Sequence, residues 1–304
     1  MIDTQESITA KLCSFARAYH SNFGRQKIFD DFLAYDLMGK EEYEEVGQLI
    51  ENDFEIAAFD TNRVFNGSLV YPKLNRYITP IPLSRIAFAE NELDRFAKEN
   101  GKCQYVICGA GMDTFAFRNE NPDIQIFELD HPDTQRYKLE RIKKLEWIIP
   151  QNVQYISIDF AADDMIEVLK NAGFDKNIPA FFAILGVTYY LTLPVFEQTI
   201  EKISRISEDG NRLVFDFPDE TTFDENNAER VHRLTQITAK LGEPMQHGFT
   251  VAEIRQALRK HGFAVDIHET PRTIQKHFFE NRAEGQTAFE NIHFILAEKK
   301  EIEQ

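Results

Sequence analysis

The chain has 304 residues, and its 34 Lys and Arg against 50 Asp and Glu leave a formal net charge of −16. That length suits two domains, or one large α/β domain with an appended subdomain. A hydrophobic fraction of 43% beside 28% charged residues is ordinary for a folded chain with a sizeable core. The acidic balance argues against gripping nucleic-acid phosphates or an anionic bilayer. Phe, with 26 copies against a single Trp, predicts aromatic-rich core or pocket walls.

Residues 5–22 place Ile8, Leu12, Phe15, Ala16 and Tyr19 at helical spacing, predicting an amphipathic first helix. The opening Met1–Glu6 has neither a basic region nor an apolar core, so no secretory signal is expected and the location is read as cytoplasmic. From Asp36 to Asp60 nine acids and one Lys surround Tyr43, Val46, Leu49 and Ile50, the pattern of a solvated helix face. A docking surface for a basic partner is the other reading of that face. A turn-rich segment follows, from Asn66-Gly67 through Pro80 and Pro82, and then a helix over about Leu83–Asn100.

Beyond Gln104 short strands alternate with helices. Strands are expected at Gln104–Cys108, Ile124–Leu129, Val153–Ile158, Ala180–Leu185 and Arg212–Phe217, with helices near His131–Leu145, Asp163–Asn171 and Pro194–Ser207 between them. That alternation predicts a parallel sheet wound with helices on both faces. Helical stretches near Asp224–Leu241 and Val251–His261 precede two last strands, Phe263–Glu269 and Ile292–Glu298, separated by some 20 residues of polar chain. Two strands without a crossover helix suit an antiparallel pair at the sheet edge. The uncharged stretch between Lys176 and Glu197, about 20 residues, could span a bilayer by length. Pro179 and Pro194 bracket it and Gly186 interrupts it, so it reads as a buried strand and its following loop.

Three cysteines, Cys13, Cys103 and Cys108, lie in apolar surroundings without CxxC spacing, which predicts buried reduced thiols in a cytosol. The eight histidines are scattered without metal-ligand spacing, so no metal site is expected.

In an open parallel sheet, ligands bind beyond the carboxyl ends of the strands. The first strand runs straight into Gly109-Ala110-Gly111-Met112-Asp113-Thr114, where two glycines allow a sharp turn and close approach of a ligand. A bare GxG also serves turns that bind nothing. The second strand ends in Glu128-Leu129-Asp130, and Asp130 follows Gly109 by 21 residues, a spacing that suits a carboxylate accepting from ribose hydroxyls. Asp130 is alternatively a cap for the helix near Pro132, and Glu128 and Asp130 between them fill both roles. At the third strand, Asp159 offers an acceptor for an adenine amino group and Phe160 a stacking ring. Three such strand ends in a row point to an adenosine ligand. A dinucleotide fold wants a third glycine where Thr114 stands. S-adenosyl-L-methionine has no phosphate and fits the segment better.

The segments QYVICGAGMDTFAFR, FELDHPDTQRYK, ISIDF and LGVTYYLT, with SFARAYHSN, KIFDDFLAYDLM and TPIPLSR before them, resemble the leucine carboxyl methyltransferase family over nearly the whole chain. That family includes the protein phosphatase methyltransferases and bacterial enzymes that methylate polyketide acids such as tetracenomycin precursors. The resemblance implies a Rossmann-like methyltransferase fold, a doubly wound, mostly parallel seven-stranded α/β sheet with an N-terminal helical lid (1–78), a methyltransferase domain (79–304) and a helical insertion near 219–248. It also implies that Gly109 lies against the methionyl part of S-adenosyl-L-methionine and Gly111 lets it do so. Asp130 would bind the ribose, Asp159 and Phe160 the adenine, and Arg85 the cofactor carboxylate, with Arg17 a second basic residue on the first helix. Eukaryotic members carry a glutamate where this chain has Leu185, so backbone around Leu185–Val187 would replace that contact, which favours the bacterial small-molecule branch.

The expected reaction is methyl transfer to a carboxylate or hydroxyl of a small, polyketide-like acceptor. Tyr189 and Tyr190, after the fourth strand, are candidate substrate contacts. No residue is assigned as a catalytic base, since His131, His232 and His247 read equally as surface or capping groups. Two alternatives stay open: a nicotinamide-dependent oxidoreductase, and a regulatory protein that keeps the cofactor pocket without catalysis.

Overall fold

The computed structural model describes residues 7–53, 72–240 and 242–300. The opening hexapeptide, positions 54–60 of the acidic stretch, the Asn66-Gly67 turn and Leu241 therefore lie outside the described residues.

Every segment read as a strand forms one: β1 Cys103–Cys108, β2 Ile124–Asp130, β3 Val153–Ser157, β4 Ala180–Ile184, β5 Arg212–Pro218, β6 Phe263–Glu269 and β7 Ile292–Lys299. They build one sheet in the order β3-β2-β1-β4-β5-β7-β6. β1 pairs in parallel with β2 and β4, β2 with β3, and β4 with β5. β7 runs antiparallel to both β5 and β6, slotted between them, so that β6 forms the edge. The winding reverses between β1 and β4, which is where such sheets open a crevice.

The helices are α1 Ile8–Phe23, α2 Ala34–Met38, α3 Lys40–Asp53, α4 Pro72–Tyr77, α5 Pro80–Asn100, α6 Phe115–Arg118, α7 Pro132–Lys144, α8 Met165–Asn171, α9 Leu193–Ile206, α10 Glu229–Lys240, α11 Val251–Lys260 and α12 Pro271–Ile274. Pro80 sits at the start of α5, where a missing N–H leaves no intrahelical bond unmade.

Strand alternation sorts the core into two layers. Tyr105, Ile107, Ile126, Phe181 and Phe294 face the side covered by α5 and the chain around Phe279–Phe289. Val106, Phe127, Phe182, Phe215 and Phe217 face α8, α9 and α11. The abundant Phe residues thus fill the core. A third cluster joins α1, α2, α3 and α4 to Ile237 of α10.

Two readings need correction. The acidic stretch is not one helix: it breaks at Gly39, whose φ is +79°. Arg141 of α7 occupies the space a side chain there would need and donates to the carbonyls of Leu37 and Met38, closing the end of α2. The link between β6 and β7 is more than polar chain. It holds α12 and a following π-turn at Gln275–Phe279, and buries Ile274, Phe279, Ala288 and Phe289, which are spaced too widely among polar residues to announce themselves. The uncharged stretch after Lys176 forms β4 and a short turn at Thr188–Tyr190. Among the described residues no helix is long and apolar enough to cross a membrane.

Candidate active site

At the carboxyl edge of β1, β2 and β4 two cavities meet. The larger, about 210 Å³, is walled by Arg17, Arg85, Gly109, Gly111, Asp130 and Leu185, together with Thr9, Cys13, Asp113 and Tyr190. Six of the eight residues expected at a cofactor therefore converge, from five separate stretches of chain. Gly109 has a φ of +78°, and a side chain there would run into Val187 at 2.7 Å. Gly111, at +52°, points its N–H at Asp130 Oδ2, 2.5 Å away. Asp130 Oδ1 accepts from the His131 N–H at 2.7 Å. Burial pushes the Asp130 carboxyl upward while these two amides oppose the shift. The helix cap is His131, whose Nδ1 accepts from the Asp133 N–H, and this frees Asp130 to clamp the glycine turn.

Glu128 does not share the site. Its carboxylate is buried in an ion pair with Lys138 of α7, and burial pushes it up to about 7 against the pull of that lysine. Asp159 and Phe160 also lie off the cavity wall. Asp159 Oδ1 accepts from the Ala161 N–H of its own loop at 2.9 Å, and Phe160 is 37% exposed.

Thr114 explains its place in the glycine turn. Its hydroxyl donates to Asp31 at 2.6 Å and accepts from Arg118 Nε at 2.8 Å. Asp31, fully buried, also pairs with Arg17 at 2.5 Å, and Arg17 Nη2 donates to the Met112 carbonyl at 2.7 Å. The N-terminal helices are thereby fastened to the turn after β1. Glu243, from the insertion, fastens them again: it accepts from the N–H groups of Ile8 and Thr9 and from the hydroxyls of Ser7 and Thr9.

The second cavity, about 70 Å³, shares Thr9, Cys13, Arg85, Gly186 and Tyr190 with the first. Leu12, Ile78, Ile81, Pro82, Leu234, Ile237 and Met245 give it an apolar lining, and Tyr77, Tyr189 and Thr238 add hydroxyls. No Asp, Glu or His is among its described lining residues, and Arg85 is the one cation there. Tyr190 faces both cavities, whereas the Tyr189 hydroxyl turns inward to Asp216 Oδ2 at 2.7 Å. His232 and His247 line neither cavity. Cys103 and Cys108 are buried, their thiols pushed up to about 11 and about 12 by desolvation, while Cys13 is half-buried on the shared wall. No group of three or more His, Cys, Asp or Glu among the described residues is placed to hold a metal ion.

Sequence reasoning missed Asp31, Asp216 and Glu243. Only Asp216 carried a signal: a charge inside the apolar run Leu213-Val214-Phe215-Asp216-Phe217 is rare in a central strand unless it is paired.

The pattern of the leucine carboxyl methyltransferase family matches residues 10–204. YktD of Bacillus subtilis (strain 168), named as an S-adenosyl-L-methionine-dependent methyltransferase, is 35% identical over 312 residues, covering 99% of this chain and 100% of its own. A relative in Mycolicibacterium paratuberculosis (strain ATCC BAA-968 / K-10), named in the same way, is 27% identical over 82% of this chain and 76% of its own. Among solved structures, a DUF574 family protein from Streptomyces avermitilis MA-4680 shares the fold with a TM-score of 0.61 at 13% identity, covering 99% of this chain and 100% of that one. A Thermobifida fusca YX protein described as a methyltransferase shares it at 0.57 and 16% identity, over 99% and 97%. The chain belongs to the leucine carboxyl methyltransferase family, and is a methyltransferase. That membership sets aside the oxidoreductase reading of the Gly109–Asp130 spacing.

Proposed function

We propose that the protein transfers a methyl group from S-adenosyl-L-methionine to a carboxylate on a small, largely apolar acceptor. One observation carries this reading: the second cavity has an apolar lining with no Asp, Glu or His among its described residues to serve as a base. A carboxylic acid titrates near 4, so it arrives ionised at neutral pH and needs orientation only. An alcohol or phenol would need a base within hydrogen-bond reach.

The larger cavity suits the cofactor. Arg85 carries a buried Nε without a partner, and Asp113 and Asp130 line the same cavity, a set that matches a ligand with one acid and a pair of sugar hydroxyls. Gly109 and Gly111 leave backbone rather than side chain beside the ligand. Asp130 holds the ribose, Arg85 takes the cofactor carboxylate, and Arg17 supports the turn through Met112. Asp159 and Phe160, expected at the adenine, lie off this cavity and are not part of that set. When bound, the cofactor supplies an electrophilic methyl carbon, and the work left to the protein is alignment of the acceptor oxygen with it. Tyr190, on both cavities, is the group best placed for that alignment. Residues 1–78 act as a lid on the domain 79–304, with Glu243 and Asp31 as its fastenings.

Calorimetric titration with S-adenosyl-L-methionine, S-adenosylhomocysteine and NAD(H) tests the cofactor, followed by labelled-methyl transfer to matched pairs of apolar acids and phenols. Binding of both sulfur nucleosides at about 10 µM, without NAD(H) binding, and label recovered as base-labile ester are the expected results. Label on phenols alone would overturn the acceptor reading. Silence from both sulfur nucleosides would overturn the cofactor reading.

A further inference from the structure

We propose that Asp216 is a positioning residue, fixing Arg85 at the junction of the two cavities; this rests on the reading of Arg85 as the contact for the cofactor carboxylate. An arginine side chain has many rotamers, so one that must meet a ligand in a defined pose needs an anchor. The described contacts of the Arg85 guanidinium leave little choice of anchor. Nη2 donates to Cys13 Sγ at 3.3 Å, and a thiol is a weak acceptor. Nε is buried without a partner. Nη1 meets Asp216 Oδ2 at 3.3 Å, the one carboxylate paired with it among the described residues.

Asp216 is itself held from several sides. It sits fully buried near the end of β5, where Oδ1 accepts from the Gly186 N–H at 2.7 Å and Oδ2 accepts from the Tyr189 hydroxyl at 2.7 Å. Its backbone carbonyl takes the Thr188 hydroxyl. The turn after β4 is therefore wrapped around this carboxylate, and the carboxylate has no freedom to swing. Gly186 supplies the other constraint. A Cβ there would stand 2.5 Å from Nη2 and 2.6 Å from Nη1, so the guanidinium lies flat against the glycine backbone. Between that surface and Asp216 the plane and the direction of Arg85 are both set. Without Asp216 only the thiol contact remains, and the side chain is free to leave the junction.

Chemical rescue separates positioning from a general structural role. The probe is S-adenosylhomocysteine, titrated calorimetrically into the wild type, Asp216→Asn, Arg85→Ala and the double variant, each with and without millimolar guanidinium. Asp216→Asn is expected to weaken binding about tenfold, and Arg85→Ala at least as much. Guanidinium should restore most of the affinity of Arg85→Ala, because Asp216 still marks the place, and none of that of the double variant. Affinity in Asp216→Asn equal to or above that of the wild type would overturn the proposal, since Asp216 would then compete with the ligand for Arg85. Equal rescue of the single and double variants would overturn it too. Should Asp216→Asn not fold, Tyr189→Phe removes a single bond to the carboxylate: a loss of about threefold supports the proposal, and unchanged affinity overturns it. A wild type that does not bind S-adenosylhomocysteine would instead bring down the cofactor reading, and this inference with it.

Discussion

The turns after β1 and after β4 lie side by side where the sheet reverses its winding, and both rest on glycines of positive φ clamped by an Asp of a neighbouring strand, yet only the second has an arginine packed against its glycine. The first is held by Asp130, at the end of the adjacent strand and 19 residues from Gly111, through a bond to backbone. The second is held in the same way by Asp216 of the adjacent β5, which accepts from the Gly186 N–H, and in addition has the Arg85 guanidinium of α5 packed against its glycine. A turn whose demands fall on backbone shows in sequence as glycines and a spaced acid. One whose demands are also side-chain packing shows a glycine and a charge inside an apolar strand, but not the arginine that packs between them.

The largest test of that contrast is Gly186→Ala. Besides the cost of a +73° φ, its methyl group would strike the Arg85 guanidinium and push it out of the pose in which Nη1 meets Asp216. Affinity for S-adenosylhomocysteine should fall about a hundredfold, or about 2.7 kcal/mol, by calorimetry. A loss no larger than that expected for the glycines after β1 would mean that Arg85 moves freely, and the two turns would then be alike.

The same division marks what could be read in advance. The parallel strands were legible because a buried parallel strand is a short apolar run between turn signals, as Tyr105–Cys108 and Ala180–Ile184 show, and the last two by their place after the final predicted helix without a crossover helix between them. The convergence of Arg17, Arg85, Gly109, Gly111, Asp130 and Leu185 was legible through strand ends and family resemblance. Glu128 was not: nothing in the segment says that Lys138, two to three helical turns on, would turn it into an interior ion pair. Asp31 and Glu243 stood among many acids, and their roles exist only once α1 lies across the turn after β1.

An intermediate effect addresses α1, which meets the first turn through Arg17 and the Met112 carbonyl and the second through Cys13 and Arg85. His20, near its end, is buried and accepts from the Ile28 N–H at Nε2, which requires a neutral ring. Burial, with Lys27 and Arg282 nearby, pulls its pKa down to about 4. The unfolded chain takes up a proton near pH 6.5 that the native state refuses, so this stability is complete above 6.5 and is lost as pH falls toward 4. Urea unfolding should show a slope from this group approaching about 1.4 kcal/mol per pH unit across that window, and His20→Asn should flatten it. An unchanged slope in the variant would place the acid sensitivity elsewhere, with His268, also pulled down to about 4, the next group to test.

The smallest effect belongs to Gly111→Ala. Its φ of +52° is strained for alanine, but the nearest atom to the new methyl group is Ala10 Cβ at 3.4 Å, an ordinary contact. The cost should be backbone strain alone, about 1 kcal/mol in urea unfolding, because the N–H that meets Asp130 is kept. Affinity for S-adenosylhomocysteine should fall about tenfold at most. A loss matching that of Gly186→Ala would mean that the ligand itself needs the space beside Gly111, so that the first turn, like the second, is shaped by what packs against it rather than by its own backbone.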